Sequence, residues 1–322
     1  MNSKNHFTFI DLFAGIGGFR LALSSMGGEC VFSSEIDEKA KLVYQKNFHE
    51  IPSGDITKIK NNEIPAHDVL CAGFPCQAFS VSGKRLGFND HRGTMFFEIL
   101  RIAKSKKPKI IFLENVKNFY RHDNGRTFKI VSESLSKIGY NVYSQVLTSS
   151  DYGVPQQRER IYIVAIRKNL NINHFEFPKK SNKTKTVKDI IQNLNKNELA
   201  DLIINRKDIN IYRSCKKIEN HSRPFQIGVI NKGGQGERIY SIYGQGITLS
   251  AHGGGAAAKT GAYLVGKTIR KLHVKECLLM QGFPKSFKML NNRNESYKQL
   301  GNSVSVPVLK SIFKKVIELK IL

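Results

Sequence analysis

The first 168 residues alternate short runs of β-branched and aromatic residues with segments of helical pattern, and this alternation constrains the fold more than any other feature of the chain. Six runs have the length and composition of strands: 7–12, 30–35, 68–73, 109–114, 141–147 and 160–166. The segments between them include EIDEKAKLVYQKNF, which begins with acidic residues, and TMFFEILRIAK, which has apolar residues at helical spacing. Strands that alternate with helices predict a doubly wound, mostly parallel α/β sheet, whose ligands bind beyond the carboxyl ends of the strands.

The rest of the chain has a different composition, which predicts a second, smaller module. Residues 179–223 are rich in Lys, Asn and Ile with weak periodicity, and residues 228–268 are dense in glycine. Helical patterns return near the C-terminus. We therefore expect a large sheet domain at 1–178, a smaller domain at 179–270, and helices at 271–322 that return to the large domain.

Composition limits the class of protein. A chain of 322 residues with 40% hydrophobic and 24% charged residues is typical of a globular protein of about two domains. Its longest apolar runs, such as 161–166, are much shorter than the roughly 20 residues that a membrane helix needs. The N-terminal region lacks the pattern of a secretory signal, so we expect a cytoplasmic protein without a membrane partner. Five cysteines, odd in number and widely spaced, predict neither a disulfide framework nor a metal site.

Positive charge is concentrated in the second half of the chain. Residues 1–168 hold 24 Lys and Arg against 16 Asp and Glu, whereas residues 169–322 hold 27 against 10. A field of this sign attracts polyanions, and nucleic acid is the expected partner of a cytoplasmic protein of this size. Charge alone leaves a second interpretation open, a lysine-rich surface that serves only solubility.

A glycine-rich loop and two carboxylates point to an adenosine cofactor. The loop FAGIGGF, with Gly15, Gly17 and Gly18, follows the first strand and lets the backbone turn tightly beside a ligand. Its spacing departs from the GxGxxG fingerprint of dinucleotide sites. Glu35, at the end of the second strand, stands where a carboxylate binds ribose hydroxyls, and Asp55 is either an acceptor for an adenine amino group or a turn or helix cap. Together these residues predict a cofactor such as S-adenosylmethionine, which has no phosphate tail.

A candidate reactive centre follows the next two strands. The long loop at 73–93 contains Cys76, a candidate nucleophile whose alternative role is that of a small buried hydrophobe. Glu114 ends the following strand, where it could hold a proton or cap a helix. Arg158 and Arg160 alternate along a strand and so share one face, as expected of either an anion-binding pair or a charged strand edge.

Five motifs, in this order and spacing, resemble those of the DNA (cytosine-5)-methyltransferases: DLFAGIGGFR, GFPCQAFSVSG, ENV, QRERIY and QLGNSV. The similarity extends over essentially the whole chain, and five ordered motifs are a specific signal. The resemblance implies a Rossmann-like catalytic domain that binds S-adenosylmethionine and a smaller target-recognition domain. It also implies methyl transfer to C5 of a cytosine that is flipped out of duplex DNA.

The resemblance assigns roles to individual residues. In the implied catalytic set, the Cys76 thiolate attacks cytosine C6, Glu114 bonds N3 and the amino group, and Arg160, with Arg158, orients and stabilises the activated base. The implied cofactor-binding residues are Phe13, Gly15, Gly17, Gly18, Glu35, Ile36, Asp55, Pro75 and Asn302. The implied DNA-binding residues are Ser82, Gln235, Arg238, His252 and Gly254. Relatives have an aromatic residue in place of Ile36 and a tyrosine in place of His252.

The same resemblance implies a target sequence. The segment 232–241 and the glycine-rich stretch after it are most similar to those of members that modify the inner cytosine of GCGC. By this likeness Gln235 fills the space of the displaced base, Ser82 meets it from the catalytic loop, and Arg238 reads a guanine. We expect a monomer that acts in a restriction-modification system beside a separate restriction endonuclease.

Three other functions fit part of the sequence. A nicotinamide dehydrogenase would explain the sheet, but the third spaced glycine is missing and the basic second half is left without a role. An RNA cytosine-5 methyltransferase of the same superfamily would share the chemistry, although the long second module favours duplex DNA. A catalytically silent DNA-binding relative is disfavoured because Cys76, Glu114 and Arg160 are all present.

Overall fold

A computed structural model describes residues 6–75, 94–181, 184–213 and 222–322. In these ranges a first sheet contains six strands, namely β1 (Phe7–Leu12), β2 (Gly28–Ser34), β3 (Val69–Gly73), β4 (Ile110–Val116), β5 (Tyr140–Thr148) and β6 (Glu159–Arg167). Their order is β2-β1-β3-β4-β6-β5. Strands β1 to β4 pair in parallel, whereas β6 is antiparallel to both β4 and β5. The expected mostly parallel α/β sheet is therefore confirmed, with one strand reversed.

In the described residues, four helices lie between the first five strands: α1 (Gly18–Ser24), α2 (Glu38–Phe48), α3 (Thr94–Lys106) and α4 (Arg126–Lys137). The expected alternation with helices is wrong at the last connection, where a short 3-10 turn at Ser149–Tyr152 leads from β5 towards β6. Antiparallel strands need no crossover helix, so the short connection and the reversed direction of β6 have the same cause. As a result, β6 begins at the carboxyl edge of the parallel strands, where Arg160 lies opposite Val116.

Successive residues of the strands point alternately into two hydrophobic layers, one on each face of the sheet. Phe9 and Phe112 point to one layer, while Ile10 and Ile111 point to the other. Helix α8 (Val306–Glu318) packs against α1, and its Phe313 ring lies 4.9 Å from that of Phe7 at the base of the sheet. Helices thus cover both faces of the sheet, which leaves its carboxyl edge as the place where side chains from several strands meet. No helix in the described ranges combines the length and the apolar character that a bilayer crossing needs.

A second, mixed sheet follows in the order β11-β10-β9-β8-β7. Its strands are β7 (Ile209–Ile211), β8 (Gln226–Ile230), β9 (Arg238–Ser241), β10 (Ala262–Val265) and β11 (Thr268–Lys271). Helix α5 (Lys196–Ala200) precedes its strands in the chain, and α6 (Val274–Gln281) and α7 (Arg293–Asn302) follow them. Strands of three to five residues are too short to give a clear sequence period, which explains the weak patterning of this part of the chain.

A buried ion pair fastens the second sheet to α6. Arg270 of β11 donates from both terminal nitrogens to the carboxylate of Glu276, at 2.8 and 2.7 Å. Both side chains are almost completely buried, and Glu276 also accepts a bond from the backbone N–H of Gln192. A buried charge pair with further hydrogen bonds fixes geometry, because removing either partner would leave an uncompensated charge.

Candidate active site

A cavity of about 360 Å³ opens at the carboxyl edge of the first sheet. Its walls come from the loops after β1, β2 and β3, the ends of β4 and β6, and the C-terminal end of α7. The sequence-predicted residues that line it are Phe13, Gly15, Gly18, Glu35, Pro75, Glu114, Arg158, Arg160 and Asn302. A second cavity of about 350 Å³ shares Phe13 and Glu35 with the first and is also lined by Ile36 and Asp55. Residues far apart in the sequence therefore converge on one continuous region. Cys76 and Ser82 lie outside the described residues.

The glycines of the loop after β1 have two roles: some allow close packing, and one borders the open space of the cavity. Gly17 has a left-handed φ of 86°, and a Cβ atom there would lie 2.2 Å from Cε2 of Phe48. A Cβ on Gly18 would lie 2.5 Å from Cγ2 of Val304. Gly15 differs, because nothing lies within 4 Å of its Cβ direction. The structure thus gives Gly17 and Gly18 a close-packing role, while Gly15 borders open space in the cavity.

Glu35 is held with its carboxylate at the junction of the two cavities. Its Oε2 accepts a bond of 2.7 Å from the Gly15 N–H, and its Oε1 accepts one of 2.8 Å from the Asp37 N–H. Each carboxylate oxygen can accept a second hydrogen bond. Glu35 is therefore a fixed acceptor that can bind two neighbouring hydroxyl groups, as a ribose offers.

Asp55 and Ile36 both line the second cavity. Oδ1 of Asp55 accepts bonds from the N–H and the hydroxyl of Thr57, at 3.0 and 2.8 Å, and so caps a 3-10 turn. The cap interpretation of Asp55 is correct, and since both bonds use Oδ1, Oδ2 can still accept from a ligand. The Ile36 side chain is 70% exposed, which is unusual for an isoleucine and places an apolar surface beside this cavity.

Glu114 is a buried carboxyl group beside a cation. It lies near the end of β4 with 8% of its surface exposed, and its Oε1 is 3.2 Å from Nε of Arg160. Burial raises the pKa of Glu114 above its ordinary value, although the guanidinium groups of Arg160 and Arg158 act in the opposite direction. Compared with an exposed glutamate, this side chain keeps its proton to higher pH, which suits a group that donates a hydrogen bond or a proton.

Arg158 is held by backbone carbonyl groups from two other segments of the chain. It is 2% exposed and donates to the carbonyl oxygens of Leu249, Gly301 and Ser303, at 3.3, 3.1 and 2.6 Å. Burial lowers the pKa of Arg158 to about 9, so the group is still charged at neutral pH. Arg158 lines the cavity, as its motif predicts, and these bonds also connect the start of β6 to Leu249 and to the C-terminal end of α7.

Gln156, like Arg158, bonds to segments that are distant in the sequence, a role that the sequence analysis did not predict. Its Nε2 donates to the Met280 carbonyl at 3.0 Å, and its Oε1 accepts from the Leu249 N–H at 3.0 Å. Next to it, the Gly246 N–H donates to the Pro155 carbonyl at 2.7 Å. The sequence signal was a pair of glutamines shortly before a strand, since a buried amide such as that of Gln156 requires several hydrogen-bond partners.

The predicted DNA-binding residues that the structure describes lie on two adjoining segments, one leading into β9 and one between β9 and β10. Gln235 lies on a short turn before β9, which begins at Arg238. His252 and Gly254 lie on the glycine-rich loop, which the first turn contacts through a 2.8 Å bond from the Ala257 N–H to the Gly236 carbonyl. All four of these residues are exposed to solvent.

Comparison with known proteins decides the family. The family model described as C-5 cytosine-specific DNA methylase matches residues 7–318. The chain belongs to this family. It is therefore a DNA cytosine-5 methyltransferase, and S-adenosylmethionine is its methyl donor, as the five motifs predicted. The dehydrogenase hypothesis was wrong.

Individual relatives cover nearly the whole chain. Type II methyltransferase M.HhaI of Haemophilus parahaemolyticus is 52% identical over 305 residues, 94% of this chain and 92% of the relative. Type II methyltransferase M.HaeII of Haemophilus aegyptius is 43% identical over 308 residues, 94% of this chain and 90% of the relative. The Dnmt2 methyltransferase of S. pombe has a similar structure, with a TM-score of 0.76 over 98% of this chain and all of that one. At 18% identity this last likeness shows the fold alone.

Gly301, which lines the first cavity, lets the segment at 250–251 approach the end of α7. A Cβ on Gly301 would lie 2.3 Å from the backbone nitrogen of Ala251 and 2.3 Å from the carbonyl carbon of Ser250. Backbone atoms cannot rotate away as a flexible side chain can. The glycine of the QLGNSV motif is therefore required where α7 meets the loop that carries His252.

We predict that Gly301→Ala destabilises the protein by about 1–3 kcal/mol, because the added methyl group must push two backbones apart. Urea unfolding measures the change. Gly54→Ala is the matched control, since a Cβ there has nothing within 4 Å and the φ angle is ordinary. Equal stability of the two variants would show that the segments at 250–251 and 301 are not in tight contact.

Proposed function

We propose that this methyltransferase modifies the inner cytosine of GCGC in duplex DNA, as the modification enzyme of a restriction-modification system. The type II methyltransferases among its relatives support the biological role, and the likeness of segment 232–241 to that of GCGC-modifying members supports the target. A single chain contains all the proposed site residues, which is consistent with a monomer acting beside a separate endonuclease.

The contact between the buried Glu114 carboxyl and the partly buried Arg160 is the observation that carries the proposed chemistry. Cytosine C5 is too weak a nucleophile to take a methyl group unless another nucleophile adds at C6 and the charge on the ring is stabilised. We assign the addition to the Cys76 thiolate. The protonated carboxyl of Glu114 would donate to N3 of the base, and Arg160, 3.2 Å from that carboxyl, would stabilise the negative charge that develops.

The proposed reaction proceeds by addition, methyl transfer and elimination. Formation of the bond between the Cys76 sulfur and C6 would make C5 nucleophilic enough to accept a methyl group; S-adenosylmethionine, when bound, would supply that group as a sulfonium electrophile and leave as S-adenosylhomocysteine. Loss of the C5 proton to water would then restore the double bond as the sulfur leaves as thiolate. Because C6 and N3 of a paired base are inaccessible, the base must first leave the helix, at a cost of a few kcal/mol.

The residues around the two cavities fit an adenosine-containing cofactor. Glu35 presents two fixed acceptors to the ribose, and Oδ2 of Asp55 can accept from the adenine amino group. Phe13 and Ile36 line the same cavity and would contact the adenine ring. We place Asn302, together with the open side of Gly15, at the methionine end.

The second module would read the DNA. We propose 1–178 and 271–322 as the catalytic part and 179–270 as the target-recognition part. Gln235, exposed on its turn, would bond to the guanine left behind by the displaced cytosine. The excess of Lys and Arg in the second half of the chain would bind the phosphates, which positions the enzyme without specifying sequence.

We predict that Cys76→Ala lowers methyl transfer by at least about 10³-fold while duplex binding persists, since the nucleophile is lost but the phosphate contacts remain. Bisulfite sequencing of plasmid from expressing cells measures the activity. Cys30→Ala is the control, because Cys30 is a half-buried cysteine that lines neither cavity. Methylation by Cys76→Ala at a rate near that of wild type would disprove the assignment of the nucleophile.

Sequence choice can be tested at Arg238. An arginine fork matches O6 and N7 of guanine in the major groove, and such a pair contributes about 1–3 kcal/mol of discrimination. Arg238→Ala should therefore reduce kcat/KM on GCGC duplexes and reduce the penalty for replacing one guanine. Arg206→Ala is the matched control, since Arg206 is an exposed arginine of the same module paired with Asp208. Methylation mapped to a motif without a GCGC core would refute the proposed target but not the reaction.

A further inference from the structure

A network of four charged side chains joins α7 to the start of α2 beside the cofactor cavity. Lys298 of α7 donates to Oδ2 of Asp37 at 3.1 Å and to Oε1 of Glu295 at 3.4 Å. Lys39 of α2 donates to the other oxygen of Glu295 at 3.3 Å. Lys298 and Asp37 both line the cavity, although their residues are 261 positions apart. The pair therefore joins two walls of the site that the chain itself does not connect locally.

Asp37 links this network to Glu35. Its Oδ1 caps α2 by accepting from the N–H groups of Lys39 and Ala40, at 2.9 and 3.2 Å. Its own N–H donates to Oε1 of Glu35. Since Oδ1 serves the cap and Oδ2 serves Lys298, one carboxylate fixes both the helix start and the segment that orients Glu35.

Helix α7, which carries Lys298, is held in place by hydrogen bonds to neighbouring segments. The Tyr297 hydroxyl donates to the Leu272 carbonyl at 2.6 Å, and the amide of Gln281 donates to the Leu300 carbonyl at 2.7 Å. Arg158 holds the helix end through the Gly301 carbonyl. Movement of the Asp37 segment away from α7 would therefore break the bond to Lys298 without being followed by the helix.

We propose that Lys298 is a positioning residue for the cofactor: through Asp37 it holds Glu35 against the ribose and slows the release of the cofactor and its product. The inference rests on the proposed assignment of Glu35 to the ribose. Hydrogen bonding to Asp37 raises the pKa of Lys298, and the bond from Lys298 lowers the pKa of Asp37 against the effect of burial, so both partners are charged at neutral pH. About a third of each side chain is exposed, which allows salt to weaken the pair.

The test uses S-adenosylhomocysteine, the demethylated product, as the probe on the full-length protein. Lys298→Met should weaken its binding in calorimetry and speed its dissociation in stopped flow by about two- to fivefold, the range expected for a partly exposed ion pair. The single-turnover rate at saturating S-adenosylmethionine should fall by less than the affinity does, because the interaction acts on binding. Lys298→Arg should restore most of the affinity. Lys315→Met, which breaks a similarly exposed pair with Glu318 on α8, is the matched control and should bind the probe as wild type does.

A double-mutant cycle distinguishes a direct interaction between Lys298 and Asp37 from a general disturbance of the cavity. Asn at position 37 can still cap α2, so Asp37→Asn removes the charge while keeping the helix start. If the pair acts as proposed, Lys298→Met combined with Asp37→Asn binds the probe no more weakly than Lys298→Met alone. Raising ionic strength from about 0.01 to about 1 M should weaken binding to the wild type more than to Lys298→Met.

Several results would overturn the inference: wild-type affinity in Lys298→Met, additive losses in the double variant, or a slower single turnover with unchanged affinity. Glu35→Gln distinguishes this failure from failure of the proposed site. If Glu35→Gln binds the probe normally, the ribose assignment itself is wrong. If Glu35→Gln loses affinity but Lys298→Met does not, the ribose assignment stands and the positioning role of Lys298 is wrong.

Discussion

The buried guanidinium of Arg158 is the interaction on which the rest of the site depends. A cation removed from water needs fixed acceptors, and here they are the carbonyl oxygens of Leu249, Gly301 and Ser303. Two of these carbonyls lie at the C-terminal end of α7, where unpaired carbonyls and the helix dipole both favour a cation. One side chain thus satisfies a helix end, secures the loop of the second module and gives the cavity part of its wall.

The reversed direction of β6 makes this arrangement possible. A parallel β6 would begin at the opposite edge of the sheet, and over nine residues this would move Arg158 and Arg160 about 25 Å from the carboxyl edge. Because the strand is antiparallel, its first residues meet the last residues of β4, and Arg160 comes to lie beside Glu114. The protonated carboxyl and the cation that the proposed chemistry needs are therefore consequences of topology as much as of residue type.

The sequence predicted those features of the fold and the site that a local pattern of residues encodes. The six strands follow from runs of β-branched and aromatic residues, and the residues of the glycine loop, Glu35 and Glu114 converge because ends of parallel strands share an edge. The contacts between segments that are distant in the sequence were not predicted. The bond between Lys298 and Asp37 and the amide contacts of Gln156 join segments that no spacing relates. The sequence analysis also predicted a helix before β6, because the residue pattern of a strand does not show whether it runs parallel or antiparallel to its neighbours.

The most direct test of the account is a covalent trap. In a GCGC duplex with 5-fluorocytosine at the inner position, fluorine cannot leave C5 as a proton does, so an enzyme that attacks C6 and transfers a methyl group stays bound. The account predicts a denaturation-resistant complex that forms only with S-adenosylmethionine, and mass spectrometry of its peptides should place the methylated base on Cys76. Absence of the complex, under conditions where the ordinary duplex is methylated, or attachment to another residue would contradict it.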